Sequence, residues 1–369
     1  MASTVLIARL RQYAQERVAA ARSDIVANLS RRSRLPLTVD VALPGAAYFS
    51  VAAGGLCDVL HLLGEGAIKV DRFTGASGGA CSLFLILANE EGLASTPTAC
   101  PSADLLLQSY LEYADSEGSG TFQRSMNAFY QAACGVSSFW EEKYRALLQK
   151  EAAWSAVRAR GYCAVASRPI RQQLFGDGCD QQVHRARRDN YVMHHFGTVE
   201  EAVQAFVATG EATVKGFTKG IQVVSEGRGF RLSGSKEEKL LDLPPSFCDG
   251  GCPTFFDVLH DGGRSPNALL YYNTWFENAS QAAFCTPESI EHLYRRGVDR
   301  AIECLRSPVL SSPEPEQPNV TQQGKPGKDS MVLALPEKDR HEELAKIGAH
   351  VSTGTFVDLT SRELREQSL

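Results

Sequence analysis

A strand that runs straight into a glycine-rich turn and then into an apolar helix constrains this chain more than any other feature. Residues 68–74 have a strand pattern, residues 75–79 read Gly-Ala-Ser-Gly-Gly, and residues 80–91 form a strongly apolar helical stretch. The same order occurs once before: the apolar, β-branched segment 37–43 stops at Pro-Gly, and a helical pattern follows over 49–63. Two such units in succession predict an α/β fold with a mainly parallel sheet flanked by helices.

The alternation of helices and strands continues to about residue 306. We predict further strands over 162–167 and 271–276, and helices over 103–115, 138–159, 198–209 and 287–305. From residue 307 to 330 the composition shifts to Pro, Gln, Gly, Ser and Lys, which indicates a flexible linker. The chain is thus divided into a folded domain over 37–306, a linker over 307–330, and a C-terminal tail over 331–369 that is either a docking arm or an interaction segment.

Residues 1–36 form a separate basic element. Residues 1–34 contain seven arginines but only two acidic side chains, and few helix breakers. An amphipathic helix is predicted, and its loose apolar face consists of Val5, Ala8, Tyr13, Val18, Ile25 and Leu29. Three roles stay open for this helix: docking on the domain, peripheral contact with an anionic membrane surface, or organellar targeting as a transit peptide.

Composition narrows the class of partners. The 369 residues are 43% hydrophobic, which is enough for a sizeable core, and the formal charge of −5 gives no basic field that would attract a polyanion. We therefore expect no nucleic-acid partner. The ten cysteines show no zinc spacing and are expected to be mostly reduced. No apolar run approaches the roughly 18 residues that span a bilayer, so we expect no membrane span. We expect a cytoplasmic protein, with peripheral membrane contact and organellar targeting by residues 1–34 as open alternatives.

Ser77 is the candidate nucleophile. The pattern Gly-x-Ser-x-Gly is common by chance, but here the serine follows a predicted strand and opens an apolar helix, so that a sharp turn would present its hydroxyl. The small residues of the elbow, Gly75, Ala76 and Gly79, leave room for substrate. The N-terminus of the helix also favours a developing negative charge, as a nucleophilic serine requires.

An acyl hydrolase also needs backbone N–H groups that stabilise the tetrahedral oxyanion. Gly45, Ala46 and Ala47 follow the first strand and precede a helix, so their amides can point into the crevice at the carboxyl ends of the strands. Together with the amide of Gly78, they form the candidate oxyanion hole.

Two identical triplets compete as the source of the general base, Asp249-Gly250-Gly251 and Asp261-Gly262-Gly263. Only about two strands precede Ser77, whereas an α/β-hydrolase has several strands before its elbow and a histidine after it. A Ser–Asp dyad fits better, because a partly desolvated carboxylate can accept the serine proton directly. The residues alone leave both Asp249 and Asp261 as candidates.

These elements, in this order, resemble the patatin-like phospholipase family over about residues 37–306. Residues 41–50 lie where that family has its glycine-rich oxyanion loop, and residues 75–79 match its nucleophile elbow. Residues 249–251 match its Asp-Gly-Gly motif, while residues 196–212 are similar to the helix and small-residue turn that precede the family's aspartate strand. That last placement selects Asp249 over Asp261.

The resemblance implies a three-layer α/β/α fold with a mainly parallel central sheet, a Ser77–Asp249 dyad, and neither metal nor other cofactor. The histidines, including His194, His195 and His260, would be non-catalytic. The implied reaction is hydrolysis of carboxylic esters in phospholipids, galactolipids or acylglycerols through an acyl-serine intermediate.

The oxyanion loop departs from the family pattern. The family has Gly-Gly-Gly-x-Arg/Lys-Gly, whereas residues 45–50 read Gly-Ala-Ala-Tyr-Phe-Ser. This departure motivates a second hypothesis, a catalytically weak member that serves as a lipid-binding or regulatory protein. A third hypothesis is an esterase or thioesterase for soluble acyl substrates, and the basic N-terminal helix is the feature that separates it from a lipid hydrolase.

Overall fold

In the computed structural model, the described residues are 2–43, 50–89, 99–116, 138–168, 190–209, 221–222, 224–225, 228–229, 246–249, 267–273, 285–307, 330–335 and 356–360. The helices within them are α1 (Ala2–Arg32), α2 (Ala52–Leu63), α3 (Gly78–Leu87), α4 (Asp104–Ser116), α5 (Ser138–Leu148), α6 (Glu151–Arg160), α7 (Val199–Thr209) and α8 (Pro287–Arg306).

The strands within the same residues are β1 (Leu37–Leu43), β2 (Ile68–Gly75), β3 (Gly161–Arg168), β4 (Asn190–His194), β5 (Ile221–Gln222), β6 (Val224–Ser225), β7 (Arg228–Gly229), β8 (Ser246–Asp249), β9 (Ala268–Asn273), β10 (Ser330–Ala334) and β11 (Phe356–Thr360). The main sheet has the order β10-β9-β1-β2-β3-β4-β11, and β8 pairs with β3 and β5, while β6 and β7 pair separately.

The centre of the main sheet is parallel. Strand β1 pairs in parallel with both β2 and β9, and β2 pairs in parallel with β3. Strand β1 is buried along almost its whole length, as expected for a parallel strand covered on both faces. Antiparallel pairs surround this centre, so the sheet is mixed. The predicted α/β class is confirmed, with a sheet that is parallel through its central strands.

Two strands lie beyond the domain boundary predicted at residue 306. Strand β10 pairs antiparallel with β9, and β11 pairs in parallel with β4. Of the two alternatives for residues 331–369, the pairing of these two segments agrees with a docking arm. Met331, Val332 and Leu333 are buried, so pairing at the sheet edge covers apolar side chains that a free tail would expose. The predicted linker lies, except for its end residues, outside the described residues.

Three further elements differ from their prediction. The single helix predicted over 138–159 is two helices, because Lys150 takes an extended conformation with ψ 124°. The break was not predicted, since no glycine or proline lies at this position. The strand predicted at 271–276 begins earlier, at Ala268, because the whole run Ala-Leu-Leu-Tyr-Tyr is buried. Strand β4 falls in a segment for which no element was predicted.

The N-terminal helix α1 docks on the domain. Its buried face is a stripe at a spacing of three or four residues that runs against α8 and α2, formed by Leu10, Ala14, Val18, Ala21, Ile25 and Leu29. Of the predicted face, Val18, Ile25 and Leu29 are confirmed. Val5 and Ala8 are exposed, so their assignment to the apolar face was wrong. The predicted face included spacings of five residues, which do not follow one side of a helix. The docking alternative is confirmed for the described part of the helix.

Arginines of α1 bind acceptors of the domain. Arg9 pairs with Glu291, Arg11 with Asp104, and Arg17 with Asp299 at 2.9 Å. In addition, the Nη1 of Arg22 donates to the carbonyl oxygen of Leu62 at 2.8 Å, near the C-terminus of α2, where a cation is favoured. Much of the positive charge of α1 is therefore matched within the molecule.

Asp58 is a buried carboxylate at the junction of three helices. It lies on α2, accepts a hydrogen bond from the backbone N–H of Ala103 at 2.8 Å, and accepts another from the hydroxyl of Tyr294 on α8. Burial raises the pKa of Asp58 to about 6, although these two hydrogen bonds act in the opposite direction. The folded state therefore holds the proton of Asp58 more tightly than the unfolded chain does, in which the pKa of this carboxyl is 3.8.

This difference predicts a pH-dependent stability. The contribution of Asp58 is fully present below about pH 4 and is lost as the pH rises through about 6, with a total of about 3 kcal/mol. We expect Asp58→Asn to remove this contribution. Urea unfolding of both proteins at pH 4 and pH 7 tests this prediction. The free energy of unfolding of the wild type, relative to that of the variant, should be lower at pH 7 than at pH 4. An unchanged difference would contradict the assignment.

Within the described helices, none combines the length and the apolar character that crossing a bilayer requires. Six cysteines whose side chains are described are free thiols, and five of these six are buried, namely Cys57, Cys81, Cys100, Cys163 and Cys285.

Candidate active site

The chain turns sharply between β2 and α3, and Ser77 lies at the turn. Ser77 has φ 51° and ψ −133°, a conformation that costs a non-glycine residue about 1–3 kcal/mol. Among the described residues, only His195 is another non-glycine residue with positive φ. A serine on a strained strand-to-helix turn is the arrangement that exposes a nucleophile. Ser77 therefore has the backbone geometry of an elbow.

The small residues around Ser77 are required by close approach. A Cβ at Gly75 would lie 2.5 Å from the Cα of Ala80, so any larger residue would push the start of α3 away from the end of β2. Ala76 is fully buried, and its carbonyl oxygen accepts hydrogen bonds from the N–H groups of Gly79 and Ala80 at 2.9 and 3.3 Å. The helix thus begins directly after the nucleophile.

The environment of Ser77 suits a developing negative charge. The side chain is half-buried, and it lies at the N-terminus of α3, whose residues from Gly79 to Leu87 are all buried. The first N–H groups of a helix have no partner within it, and Gly78 is the first residue of α3. Its amide is therefore free of the helix ladder and available, by position, to an oxyanion.

The backbone of Ser77 is also held from a distant helix. Its N–H donates a hydrogen bond to the Oγ1 of Thr209 at 2.9 Å, and Thr209 is the last residue of α7 and is fully buried. The sequence did not single out Thr209. It falls within the segment 196–212 that carries part of the family resemblance, but a lone hydroxyl at a helix end gives no sequence signal of its own.

The described residues on either side of Gly45, Ala46 and Ala47 are bonded to the elbow and to the helix that follows it. Before the loop, the carbonyl oxygen of Leu43 accepts from the N–H of Ala76 at 3.1 Å. After the loop, the Oγ of Ser50 accepts a hydrogen bond from the Oγ of Ser82 on α3 at 2.7 Å. The candidate oxyanion residues themselves, Gly45, Ala46 and Ala47, lie outside the described residues.

The hydroxyl of Tyr110 joins the contact between Ser50 and Ser82. It lies 3.2 Å from the Oγ of Ser50 and 3.5 Å from the Oγ of Ser82, and all three side chains are buried. Burial raises the pKa of Tyr110, so its hydroxyl stays neutral and is both a donor and an acceptor. These three hydroxyls connect the segment before α2 with α3 and α4, and the sequence did not predict them.

Asp249 is the last residue of β8. The position of its backbone follows from the pairing of β3 with its neighbouring strands. Cys163 pairs with Gly75 of β2 and with Met193 of β4, so β2 and β4 occupy opposite edges of β3. Val165 pairs with both β4 and Asp249 of β8, so β8 and β4 are also on opposite edges. Strands β2 and β8 therefore share one edge of β3.

On that shared edge the carboxyl ends of β2 and β8 face each other. Gly75 is opposite Cys163, and Asp249 is opposite Val165. The two partners are two residues apart along β3, which corresponds to about 6–7 Å. The backbone thus brings the end of the Asp249 strand to the start of the Ser77 turn. Asp261, the rival base, lies outside the described residues.

Two of the histidines lie across β3 from this junction. His194 is the last residue of β4, and its ring stacks on that of Tyr162 with the centroids 4.6 Å apart. His195 contacts the same cluster, with its ring centroid 4.6 Å from that of His194. His194 ends β4 and His195 follows it, so both lie at the edge of β3 opposite to Asp249. His260 is outside the described residues.

Within the part of the chain that the structure describes, no group of three His, Cys, Asp or Glu side chains could hold a metal ion. The chain matches no protein-family model, no curated protein and no solved structure.

Proposed function

We propose that this protein is a serine acyl hydrolase that cleaves carboxylic esters of lipids through a Ser77–Asp249 dyad. The observation that carries the proposal is the strained elbow at Ser77, which opens α3 at the place where the carboxyl ends of β2 and β8 meet. A nucleophile on a strained turn, a helix N-terminus and an aspartate strand at one junction are the parts that acyl transfer requires.

The reaction follows from the roles of these groups. The Asp249 carboxylate accepts the proton of the Ser77 hydroxyl as its Oγ bonds to the ester carbonyl carbon. The carbonyl π electrons move to oxygen, and the N–H of Gly78 and those of residues 45–47 donate to this oxyanion. Collapse expels the alcohol, which takes the proton from Asp249. Water then attacks the acyl-serine by the same steps and releases the carboxylic acid.

The patatin-like resemblance supplies the finer parts of the proposal. It gives a three-layer α/β/α arrangement of the domain, and it gives phospholipids, galactolipids or acylglycerols as the ester class. Support for the first comes from the mixed α/β sheet, in which the central strands are parallel and the elbow follows the second strand. The second rests on the motifs at 75–79 and 249–251.

A second candidate function is favoured by one specific observation, the altered oxyanion loop. Residues 45–47 read Gly-Ala-Ala, and an alanine serves in an oxyanion loop only where φ is negative. If either alanine must have positive φ, the amides are misdirected and turnover is low. The chain would then act as a lipid-binding or regulatory protein that keeps the crevice.

A fluorophosphonate probe separates the two candidates, because it reacts only with an activated serine. We expect the folded wild type to be labelled at Ser77, as located by peptide mass spectrometry, and Ser77→Ala to be unlabelled. Hydrolysis of a fluorescent phospholipid and of a short-chain soluble ester, measured side by side, then distinguishes a lipid hydrolase from an esterase for soluble substrates. A folded wild type that is neither labelled nor active would exclude the enzyme and favour the binding protein.

A further inference from the structure

The hydrogen bond between Ser77 and Thr209 joins the nucleophile to a residue 132 positions away. It is a bond from the backbone N–H of Ser77, so it acts on the peptide group just before the strained residue. The Oγ1 of Thr209 is the acceptor at 2.9 Å, and Thr209 is fully buried at the C-terminus of α7. A half-buried backbone N–H at a turn needs a partner, because an unpaired one is rare and costly.

Helix α7 is fixed on α3, which begins at the elbow, and on β3, which pairs with the end of β2. Phe206 packs edge-on against Phe84 of α3, with ring centroids 4.8 Å apart. The thiol of Cys163, which lies on β3 opposite Gly75, donates to the carbonyl oxygen of Ala205 at 3.3 Å. These contacts immediately precede Thr209 in α7. The hydroxyl of Thr209 is therefore held at a set position relative to the start of α3.

The side chain of threonine suits this task. Its branched Cβ limits χ1 to few rotamers, so a buried threonine fixes its hydroxyl at little further cost in conformational entropy. Ser77 has positive φ, and such a conformation persists only where neighbouring groups enforce it. The bond to Thr209 is one such constraint on the elbow.

We propose that Thr209 is a positioning residue for the nucleophile: its hydroxyl fixes the peptide before Ser77 and thereby sets the direction in which the Ser77 hydroxyl leaves the turn. This role rests on the proposed function of Ser77. It also links the nucleophile to the strand of the proposed base, because α7 packs against both α3 and β8.

A pair of substitutions at one site tests the hydroxyl itself. Thr209→Val keeps the branched shape and removes the acceptor, whereas Thr209→Ser keeps the acceptor. We expect Thr209→Val to lower kcat, and the maximal rate of fluorophosphonate labelling, by about 10²-fold with KM nearly unchanged, because a small misdirection of the attacking atom costs that much. Thr209→Ser should stay within about threefold of the wild type.

A matched control separates positioning from the stability of α7. The Oγ1 of Thr198 accepts from the backbone N–H of Glu201 at 3.2 Å at the other end of the same helix. Thr198→Val therefore weakens α7 without touching Ser77, and it should leave the labelling rate unchanged. If Thr209→Val does not fold, Thr209→Ala, whose smaller side chain cannot overlap its neighbours, gives the same comparison.

The outcomes are distinct. An unlabelled wild type would overturn the proposed function, and the role of Thr209 with it. A labelled wild type with an unchanged rate in Thr209→Val would overturn the positioning role alone. Equal losses in Thr209→Val and Thr198→Val, or a loss in Thr209→Ser as large as in Thr209→Val, would do the same, since the hydroxyl would then not be the cause.

Discussion

Asp249→Asn is expected to lower kcat for ester hydrolysis by about 10²–10⁴-fold, the range in which a general base contributes. Asparagine has the shape of aspartate but cannot accept the proton of Ser77, so the hydroxyl would have to attack unassisted. The variant should keep its fold, because Asp249 ends a strand whose backbone pairing with β3 does not depend on the carboxylate. Steady-state kinetics of the folded variant, with Ser77→Ala as the floor, give the measurement.

Asp261→Asn is the matched control for this prediction. Both aspartates precede two glycines, so the two substitutions remove the same charge from the same local sequence. The pairing of β8 brings the backbone of Asp249 to the elbow, and on this basis Asp261→Asn should retain turnover near the wild-type level. Loss of activity in Asp261→Asn with retention in Asp249→Asn would reverse the assignment, and loss in neither would reject the dyad.

The central strands could be read from the sequence because their signals are local. Strand β1 was predicted with the bounds that it has, since a mainly apolar, β-branched segment stops at Pro44 and Gly45. Strand β2 ends in the elbow, as predicted, because only small residues can follow it there. In both cases the residues that form the strand and those that end it are neighbours in the sequence, so a local pattern predicts both.

Elements that depend on distant partners could not be read in this way. Strand β10 looks like part of a tail until its pairing with β9 is known. The break at Lys150 has no glycine or proline, so packing of the two short helices must decide it. The stripe of α1 was only half found, because several apolar faces were compatible with the sequence and the position of α8 selects among them.

In the candidate site, too, the features with a local sequence signal were predicted and those that depend on distant partners were not. The motif at 75–79 identified the nucleophile, and the structure adds the strained φ of Ser77 that a motif alone cannot give. The approach of β8 to β2 is a consequence of how β3 is paired on two edges, which no local pattern encodes. Thr209, Ser50 and Ser82 act through single hydroxyls, and such residues are common everywhere in a chain.

Gly297→Ala is expected to destabilise the protein by about 3 kcal/mol or more, the upper range for overpacking of a core. Helices α2 and α8 cross where Gly55 and Gly297 allow their backbones to touch. A Cβ at Gly297 would overlap the carbonyl oxygen of Ala52, and a Cβ at Gly55 would lie 2.5 Å from the backbone nitrogen of Val298. Alanine would improve the helix propensity by only about 1 kcal/mol, which is less than the cost of moving two backbones apart.

The crossing is also connected to the candidate site, because α2 begins two residues after Ser50, whose hydroxyl contacts Ser82 of α3. Gly66→Ala is the control: a Cβ there would meet nothing within 4 Å, so it should leave the unfolding midpoint in urea almost unchanged. If Gly297→Ala unfolds at the same midpoint as Gly66→Ala, the two helices can separate freely. A fall in midpoint with an unchanged dependence on urea would instead mean that the crossing itself stabilises the protein, and with it the contact of Ser50 with Ser82 of α3.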